Sequence, residues 1–128
     1  MKLIVDTCTF LWILSDAPDL SLEARECFQD PSNEVLLSSV SVWEIMVKHG
    51  IGRIRLPEPP DRYVPRMRDI HGISPLPLDE TAVLYLSRLP ALHKDPFDRM
   101  LACQALSGGL VILTPDETLR QYPVPTQW

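Results

Sequence analysis

Short apolar runs alternate with segments of helical character along the whole of this 128-residue chain. The runs at residues 2–6, 35–38 and 110–113 carry consecutive apolar residues without polar alternation, which is typical of strands buried on both faces. Such strands are usually parallel, and parallel neighbours are joined by helical crossovers rather than by tight turns. The pattern therefore predicts an α/β fold with a mainly parallel central sheet.

Six segments between these runs carry helix signals, which are capping residues, prolines in first turns and apolar spacings of three and four. They are residues 7–14, 21–28, 41–49, 61–71, 79–89 and 96–106. Residues 73–78 and 122–128 contain prolines and are predicted as edge strands, because proline cannot donate a ladder hydrogen bond. We find no repeat or linker, so residues 1–128 are predicted to form a single domain.

The composition excludes several classes of protein. Apolar residues make up 45% of the chain, yet no run approaches the roughly 20 residues that a membrane-spanning helix needs. The first residues lack the apolar region and cleavage site of a signal peptide. Cys8, Cys27 and Cys103 are odd in number and widely spaced, which predicts reduced, packed thiols rather than a disulfide framework or a zinc site. We expect a soluble cytoplasmic protein.

Four acidic residues lie where an apolar run gives way to a polar or helix-starting segment. In a parallel sheet all strands end on one edge, so residues far apart in sequence can meet in one crevice. Four carboxylates there would repel one another unless a hard divalent cation lay among them, and oxygen ligands suit Mg²⁺ and Mn²⁺. The predicted catalytic and metal-binding residues are Asp6, Glu44, Asp98 and Asp116.

Each acid also has an ordinary explanation as part of a helix N-terminus. Asp6 can cap the helix that follows it, and Ser41 with Glu44 fits a capping box. Asp95 precedes a proline at the first helical position, with Asp98 at the third. Taken singly, capping is the simpler explanation for each acid, because the helix macrodipole favours acids in first turns.

The last acid repeats this logic, since Thr114 can cap a helix that places Glu117 at its third position. The joint placement of the four acids favours a shared site instead. Asp98 lies on the same helical face as Leu101 and Ala102, an apolar stripe suited to packing against a sheet. Its carboxylate is therefore predicted to face inward, where a simple cap could face any direction.

Half of the lysines and arginines lie between positions 48 and 68, where six basic and two acidic residues give a local charge of +4 in a chain of net charge −5. A basic stripe beside an acidic metal site suits a phosphodiester, because cations hold the backbone while metal ions act at the scissile phosphate. Solvated charge on a helix face and loop is the alternative reading. The predicted phosphate contacts are Lys48, Arg62, Arg66 and Arg99, although Lys48 and Arg99 are equally placed to pair with nearby carboxylates.

The strings Ile4-Val5-Asp6-Thr7, Ser41-Val42-Trp43-Glu44-Ile45, Asp95-Pro96-Phe97-Asp98-Arg99 and Leu113-Thr114-Pro115-Asp116 occur in an order that resembles a PIN domain. More narrowly, the chain is similar to VapC-type toxin ribonucleases of bacterial and archaeal toxin–antitoxin pairs, from the first strand to about Tyr122. The resemblance implies a three-layer α/β/α sandwich and Mg²⁺- or Mn²⁺-dependent endonuclease action on RNA. It also implies a homodimer and a cognate antitoxin that blocks the site.

The family's acidic quartet falls on the four acids already named. Thr7 matches its hydroxyl residue beside the first acid, Thr114 matches a polar residue near the last, and Asp95 is predicted as an N-cap rather than a ligand. The implied reaction is in-line attack of a metal-activated water on an RNA phosphodiester. No catalytic histidine is required, and a surface role is predicted for His49, His71 and His93.

Other classes of protein compete with this interpretation. A Mg²⁺-dependent phosphotransfer domain also places aspartates at strand ends, but the haloacid-dehalogenase type needs an acid where Cys8 stands. A receiver domain needs a lysine after its late strand, and Thr-Pro-Asp-Glu follows Leu113 instead. A nuclease for structured DNA would need insertions that this short chain lacks. A non-catalytic binding or dimerisation module of the same fold stays open.

Overall fold

The computed structural model describes all of residues 1–128, and its centre is a sheet of five strands that are all parallel. The order across the sheet is β3-β2-β1-β4-β5, and β1 pairs Leu3 with Val35 on one side and with Val111 on the other. The strands formed by the proline-containing segments 73–78 and 122–128 are β3 and β5, and both lie at the edges, as predicted. The strands are β1 (Lys2–Val5), β2 (Glu34–Ser38), β3 (Ser74–Leu76), β4 (Val111–Leu113) and β5 (Thr126–Gln127).

Six α-helices connect these strands. They are α1 (Thr7–Ser15), α2 (Leu22–Gln29), α3 (Ser39–Gly50), α4 (Pro60–Ile70), α5 (Glu80–Leu84) and α6 (Pro96–Gly108). The predicted helix at residues 79–89 is wrong in its second half, where a 3₁₀ turn spans Tyr85–Arg88. Pro90 explains why this turn stops at Arg88, because the residue before a proline is pushed out of the α region, and Leu89 is extended.

The helices cover both faces of the sheet, so the fold is the three-layer α/β/α sandwich that was expected. Side chains alternate across a strand, and β1 sends Leu3 and Val5 into one apolar cluster and Ile4 into another. Phe10 of α1 lies in the first cluster, and Leu101 of α6 lies in the second. The two apolar clusters therefore hold the carboxyl ends of β1 and β4 in place. Asp6 and Asp116 follow these ends.

None of the helices combines the length and the apolar character that a bilayer crossing requires. All three cysteines are free thiols, as predicted. Only Cys103 is buried, and the expectation of packed thiols is wrong for Cys8, which is exposed near the start of α1. Its place on α1 turns it away from the core, whereas the adjacent Thr7 and Thr9 are buried.

Candidate active site

Asp6 lies between the end of β1 and the start of α1, and its two carboxylate oxygens have different hydrogen-bond partners. Oδ1 accepts a hydrogen bond of 2.8 Å from the Thr9 amide, as an N-cap does. Oδ2 accepts a hydrogen bond from the hydroxyl of Thr114, the residue directly after β4, and β4 is the strand that pairs with β1 on this side. Asp6 is only 5% exposed, and this burial raises the pKa of its carboxyl against the lowering effect of the Thr114 and Thr9 hydrogen bonds.

Glu44 lies in the second turn of α3 and is equally buried. Its Oε1 accepts from the Thr7 hydroxyl at 2.5 Å, and its Oε2 pairs with Lys48 one turn later. The predicted capping box of Ser41 and Glu44 is wrong, because β2 runs directly into α3 and Ser38 is the N-cap. Ser41 therefore lies inside the helix, and the Glu44 carboxylate is directed toward α1.

Asp95 and Asp98 divide two roles at the start of α6. Asp95 is the N-cap, as predicted, and its Oδ1 accepts from the amides of Phe97 at 2.8 Å and Asp98 at 3.3 Å. The Asp98 side chain accepts no backbone hydrogen bond, and its Oδ2 lies 3.1 Å from Nε2 of His93. Burial, followed by the negative charges of Asp95 and Asp6, raises the pKa of the Asp98 carboxyl to about 8.

Asp116 lies in the turn after β4, where the predicted capping of a helix by Thr114 is wrong. The Thr114 amide is bonded to the carbonyl of Gln127 at 3.1 Å, which keeps the backbone extended beyond the end of β4. The Thr114 hydroxyl instead accepts from the Asp116 amide at 3.0 Å while donating to Asp6. Asp116 Oδ1 accepts from the Leu119 amide at 2.9 Å and so holds a short 3₁₀ turn.

The carboxyl edge of the sheet thus brings the acids together from four separate parts of the chain. Besides Asp95, the charges of Asp6, Glu44 and Asp116 all raise the pKa of Asp98. One carboxylate oxygen of Asp98, one of Asp116 and a ring nitrogen of His93 lie within 4.8 Å of one another. The arrangement is a half-buried pocket of negative charge.

Residues 3–125 match the sequence profile of the PIN domain. This chain belongs to the PIN domain family. It is 45% identical over 64 residues to Ribonuclease VapC16 of Mycobacterium tuberculosis (strain ATCC 25618 / H37Rv), a match that covers 49% of this chain and 45% of that protein. The chain therefore spans about half the length of the curated relative that it matches.

Solved structures show the same fold. VapBC2 from Rickettsia felis, bound to a DNA fragment from its promoter, has a TM-score of 0.75 at 13% identity, covering 99% of this chain and 98% of that chain. VapBC-1 from nontypeable Haemophilus influenzae has a TM-score of 0.69 at 18% identity, covering 99% and 97%. At these identities the likeness establishes the PIN fold.

His93 is the residue of this PIN domain that sequence reasoning missed. It was assigned to the surface, but it is half-buried and its ring contacts Asp98. The Asp95 amide also donates to its Nδ1 at 3.2 Å. The available signal was its position two residues before the N-cap of α6, in the loop that delivers that helix to the site.

The predicted phosphate contacts lie in different surroundings. Lys48 is part of the acidic pocket through its pair with Glu44, and its Nζ lies 6.0 Å from the centre of the Phe97 ring. Arg99 donates to the carbonyl of Pro90 at 3.2 Å.

On α4, Arg66 is already paired with both oxygens of Glu58, and Arg62 is exposed. Neither arginine is bonded to one of the four acids, so only Lys48 of the predicted phosphate contacts is joined to the acidic pocket by a direct contact.

The donor set of this PIN domain fits a hard divalent cation. Its ligand atoms are mainly carboxylate oxygens, which Mg²⁺ and Mn²⁺ prefer. Burial, and after it the charges of the neighbouring acids, raises the pKa of Asp98 and so disfavours its ionised form in the metal-free site. The same charge reaches the exposed Cys8, where desolvation by nearby protein atoms, followed by the charges of Asp6, Glu44 and Asp98, raises the pKa of the thiol to about 11. A cation among the acids would remove this repulsion.

Proposed function

We propose that this PIN domain is a metal-dependent endoribonuclease, the toxin of a VapBC-type toxin–antitoxin pair. The observation that carries the proposal is the convergence of Asp6, Glu44, Asp98 and Asp116 at one edge of the parallel sheet. The ribonuclease name of the Mycobacterium relative supports the choice of substrate class. The ion proposed is Mg²⁺ or Mn²⁺.

The protein's own residues orient the site. Asp98 and Asp6 are the proposed direct ligands, and Glu44 and Asp116 complete the metal-binding and catalytic set. Thr114 fixes Asp6, and the Thr7 hydroxyl fixes Glu44 in the same way. A bound divalent ion would lower the pKa of a coordinated water and offset charge on the phosphate oxygens.

Lys48 is proposed to contact a phosphate at the rim of the site, because it is the cation already held beside these acids. Arg99 in the first turn of α6 and Arg62 and Arg66 on α4 are proposed to hold the RNA backbone farther away. Each would act through charge rather than through base recognition. Asp95 is proposed to support the site as the cap of α6.

An antitoxin protein and a second copy of the chain are the proposed partners. VapBC complexes are among the solved structures that share this fold, and by analogy this chain would act in the cytoplasm as a homodimer that an antitoxin inhibits. A non-catalytic binding module of the same fold is the competing proposal. It would bind RNA or a partner protein without cutting RNA.

Cleavage of a defined RNA by the purified chain tests the proposed activity. We expect cutting with Mg²⁺ or Mn²⁺, none with EDTA, and none by Asp6→Asn or Asp98→Asn. The matched control is Asp79→Asn, because Asp79 caps α5 with the same kind of hydrogen bond, 2.9 Å from the Ala82 amide, beside a different cavity. Equal cleavage by all three variants would contradict the mechanism.

Co-expression tests the proposed biological role. The chain should arrest growth when expressed alone, and the product of the neighbouring gene should relieve the arrest. Sequencing of RNA ends should then show a small set of cut sites that Asp98→Asn abolishes. Growth arrest that persists with Asp98→Asn would indicate a binding function instead of cleavage.

A further inference from the structure

The ring of His93 is hydrogen-bonded at both nitrogens, and the two contacts define its tautomer. The amide of Asp95 can only donate, so Nδ1 of His93 accepts that hydrogen bond of 3.2 Å. In the neutral ring the proton then lies on Nε2, which is 3.1 Å from Oδ2 of Asp98. A flipped ring would place carbon atoms at both positions and lose both contacts. Nε2 of His93 is therefore a donor to Asp98.

The backbone that carries this ring is tied to the core. The His93 amide donates to the hydroxyl of Tyr122 at 2.8 Å, and Tyr122 is buried in the apolar cluster beneath α6. The residue is thus held on two sides, its ring by the start of α6 and its backbone by the C-terminal segment. A side chain held in this way is suited to fixing a neighbour in one orientation.

We propose that His93 is a positioning residue of the proposed ribonuclease site, whose Nε2–H holds Oδ2 of Asp98 and leaves Oδ1 to bind the divalent ion. The inference rests on the proposed function and assigns to it a residue outside the acidic quartet. Partners of this kind orient metal-binding carboxylates, and their loss typically costs about 10- to 100-fold in metal affinity.

Direct ligation by His93 is the competing role, since its ring nitrogen lies within 4.8 Å of oxygens of Asp98 and Asp116. A nitrogen ligand needs a free lone pair on Nε2, which places the proton of a neutral ring on Nδ1. That proton would then face the N–H of Asp95, and two donors would oppose each other. The geometry therefore favours positioning over ligation.

Two conservative variants separate these roles. His93→Asn retains a polar group near Nδ1 that can accept from the Asp95 amide, but it removes the donor at Nε2. His93→Gln places an amide donor near the position of Nε2. In Mn²⁺ titrations followed by electron paramagnetic resonance, we expect His93→Asn to weaken binding at least about tenfold and His93→Gln to remain within about threefold of wild type. Unchanged binding by His93→Asn, or an equal loss in both variants, would overturn the proposal.

Spectroscopy of the wild-type chain gives readouts that do not depend on RNA cleavage. In the metal-free protein, ¹⁵N NMR of the neutral ring should show the proton on Nε2 of His93. With Mn²⁺ bound, pulsed electron paramagnetic resonance should show no directly coordinated histidine nitrogen. A proton on Nδ1, or a coordinated nitrogen, would refute the positioning role.

The failures of the two proposals are distinguishable. A wild-type chain that binds Mn²⁺ but cuts no RNA would reject the proposed function while the comparison of the two His93 variants still decides its role. Wild-type cleavage with equal Mn²⁺ affinity in wild type and His93→Asn would reject the positioning role and leave the function in place. Urea unfolding of both variants checks that each is folded before the titrations.

Discussion

Asp98→Asn should stabilise the metal-free protein at neutral and alkaline pH, although it removes a proposed metal ligand from the site. The wild-type carboxyl is buried, and ionising it adds a charge to a cluster that is already negative. The asparagine keeps the shape of the side chain and removes that charge. The titratable groups that face the carboxyl are Asp6, Glu44, His93, Asp95 and Asp116.

The size of the effect follows from the pKa of Asp98, which is raised from its ordinary value to about 8. The unfolded chain releases this proton near pH 4, and the folded chain releases it near pH 8. Between these values the folded state binds more protons than the unfolded state, so the folded protein loses stability as the pH rises. At about 1.4 kcal/mol per pH unit, the loss between pH 5 and pH 8 is about 4 kcal/mol.

One feature of the structure reduces this figure. The Asp98 side chain is 17% exposed, so water screens part of the repulsion. We therefore expect Asp98→Asn to gain about 2 to 4 kcal/mol over wild type between pH 5 and pH 8.

Urea unfolding in EDTA at intervals of one pH unit measures this difference. Asp6 also has a raised pKa, but its contribution is present in both proteins and cancels to first order. Asp79→Asn is the control, and its difference from wild type should stay constant with pH. Mg²⁺ should reduce this difference, because an ion at 100 times its Kd adds about 2.7 kcal/mol to the wild type only. Parallel pH curves for wild type and Asp98→Asn in EDTA would refute the reasoning.

Two further predictions concern the support of the site and its surroundings. Thr114→Val should lower the free energy of unfolding by about 1 to 3 kcal/mol in urea at pH 7, because it leaves Asp6 without its hydroxyl donor; a change below about 0.5 kcal/mol would contradict this. Arg62→Ala should reduce the slope of log affinity against log salt by about 0.7 for a single-stranded RNA. Arg66→Ala should reduce that slope less, since Glu58 already neutralises the charge of Arg66. Fluorescence anisotropy titrations measure the slopes, and equal slopes in wild type and both variants would exclude RNA contact at α4.

Much of the fold follows from local sequence signals. The apolar run of β1 and the capping residue Asp6 predict where the first strand ends and the first helix begins, because both depend on neighbours in sequence. The proline after Asp95 predicts the start of α6 for the same reason. Elements whose ends are set by their own residues are the ones that sequence reasoning placed well.

Two of the errors arise where a residue has a partner that is distant in sequence. Thr114 was predicted to cap a helix, but its hydroxyl bonds to Asp6, 108 residues earlier, and the extended backbone continues. His93 was placed on the surface, but Tyr122, 29 residues later, ties its loop to the core. No local pattern records either contact, since both exist only after the sheet and its last segment have assembled.

The count of charges does not reveal how each cation is paired. In the segment of local charge +4 between positions 48 and 68, Arg66 is paired with Glu58, and Lys48 is paired with Glu44. A net charge over a segment cannot show which cations are already paired. Arg62, which has no ion pair, is the better test of contact between α4 and RNA.

The four acids differ in how far the protein compensates their charge, and this difference assigns their roles. Asp6 and Asp116 each accept a backbone amide, and Glu44 is paired with Lys48. Asp98 accepts no backbone amide, because Asp95 has taken the capping role at the start of α6. It keeps a single side-chain partner, His93, and burial followed by the charges of the neighbouring acids raises its pKa to about 8. A cation entering the pocket would therefore stabilise an ionised carboxylate that has no backbone donor, which is why substitution of Asp98 should separate stability from metal binding.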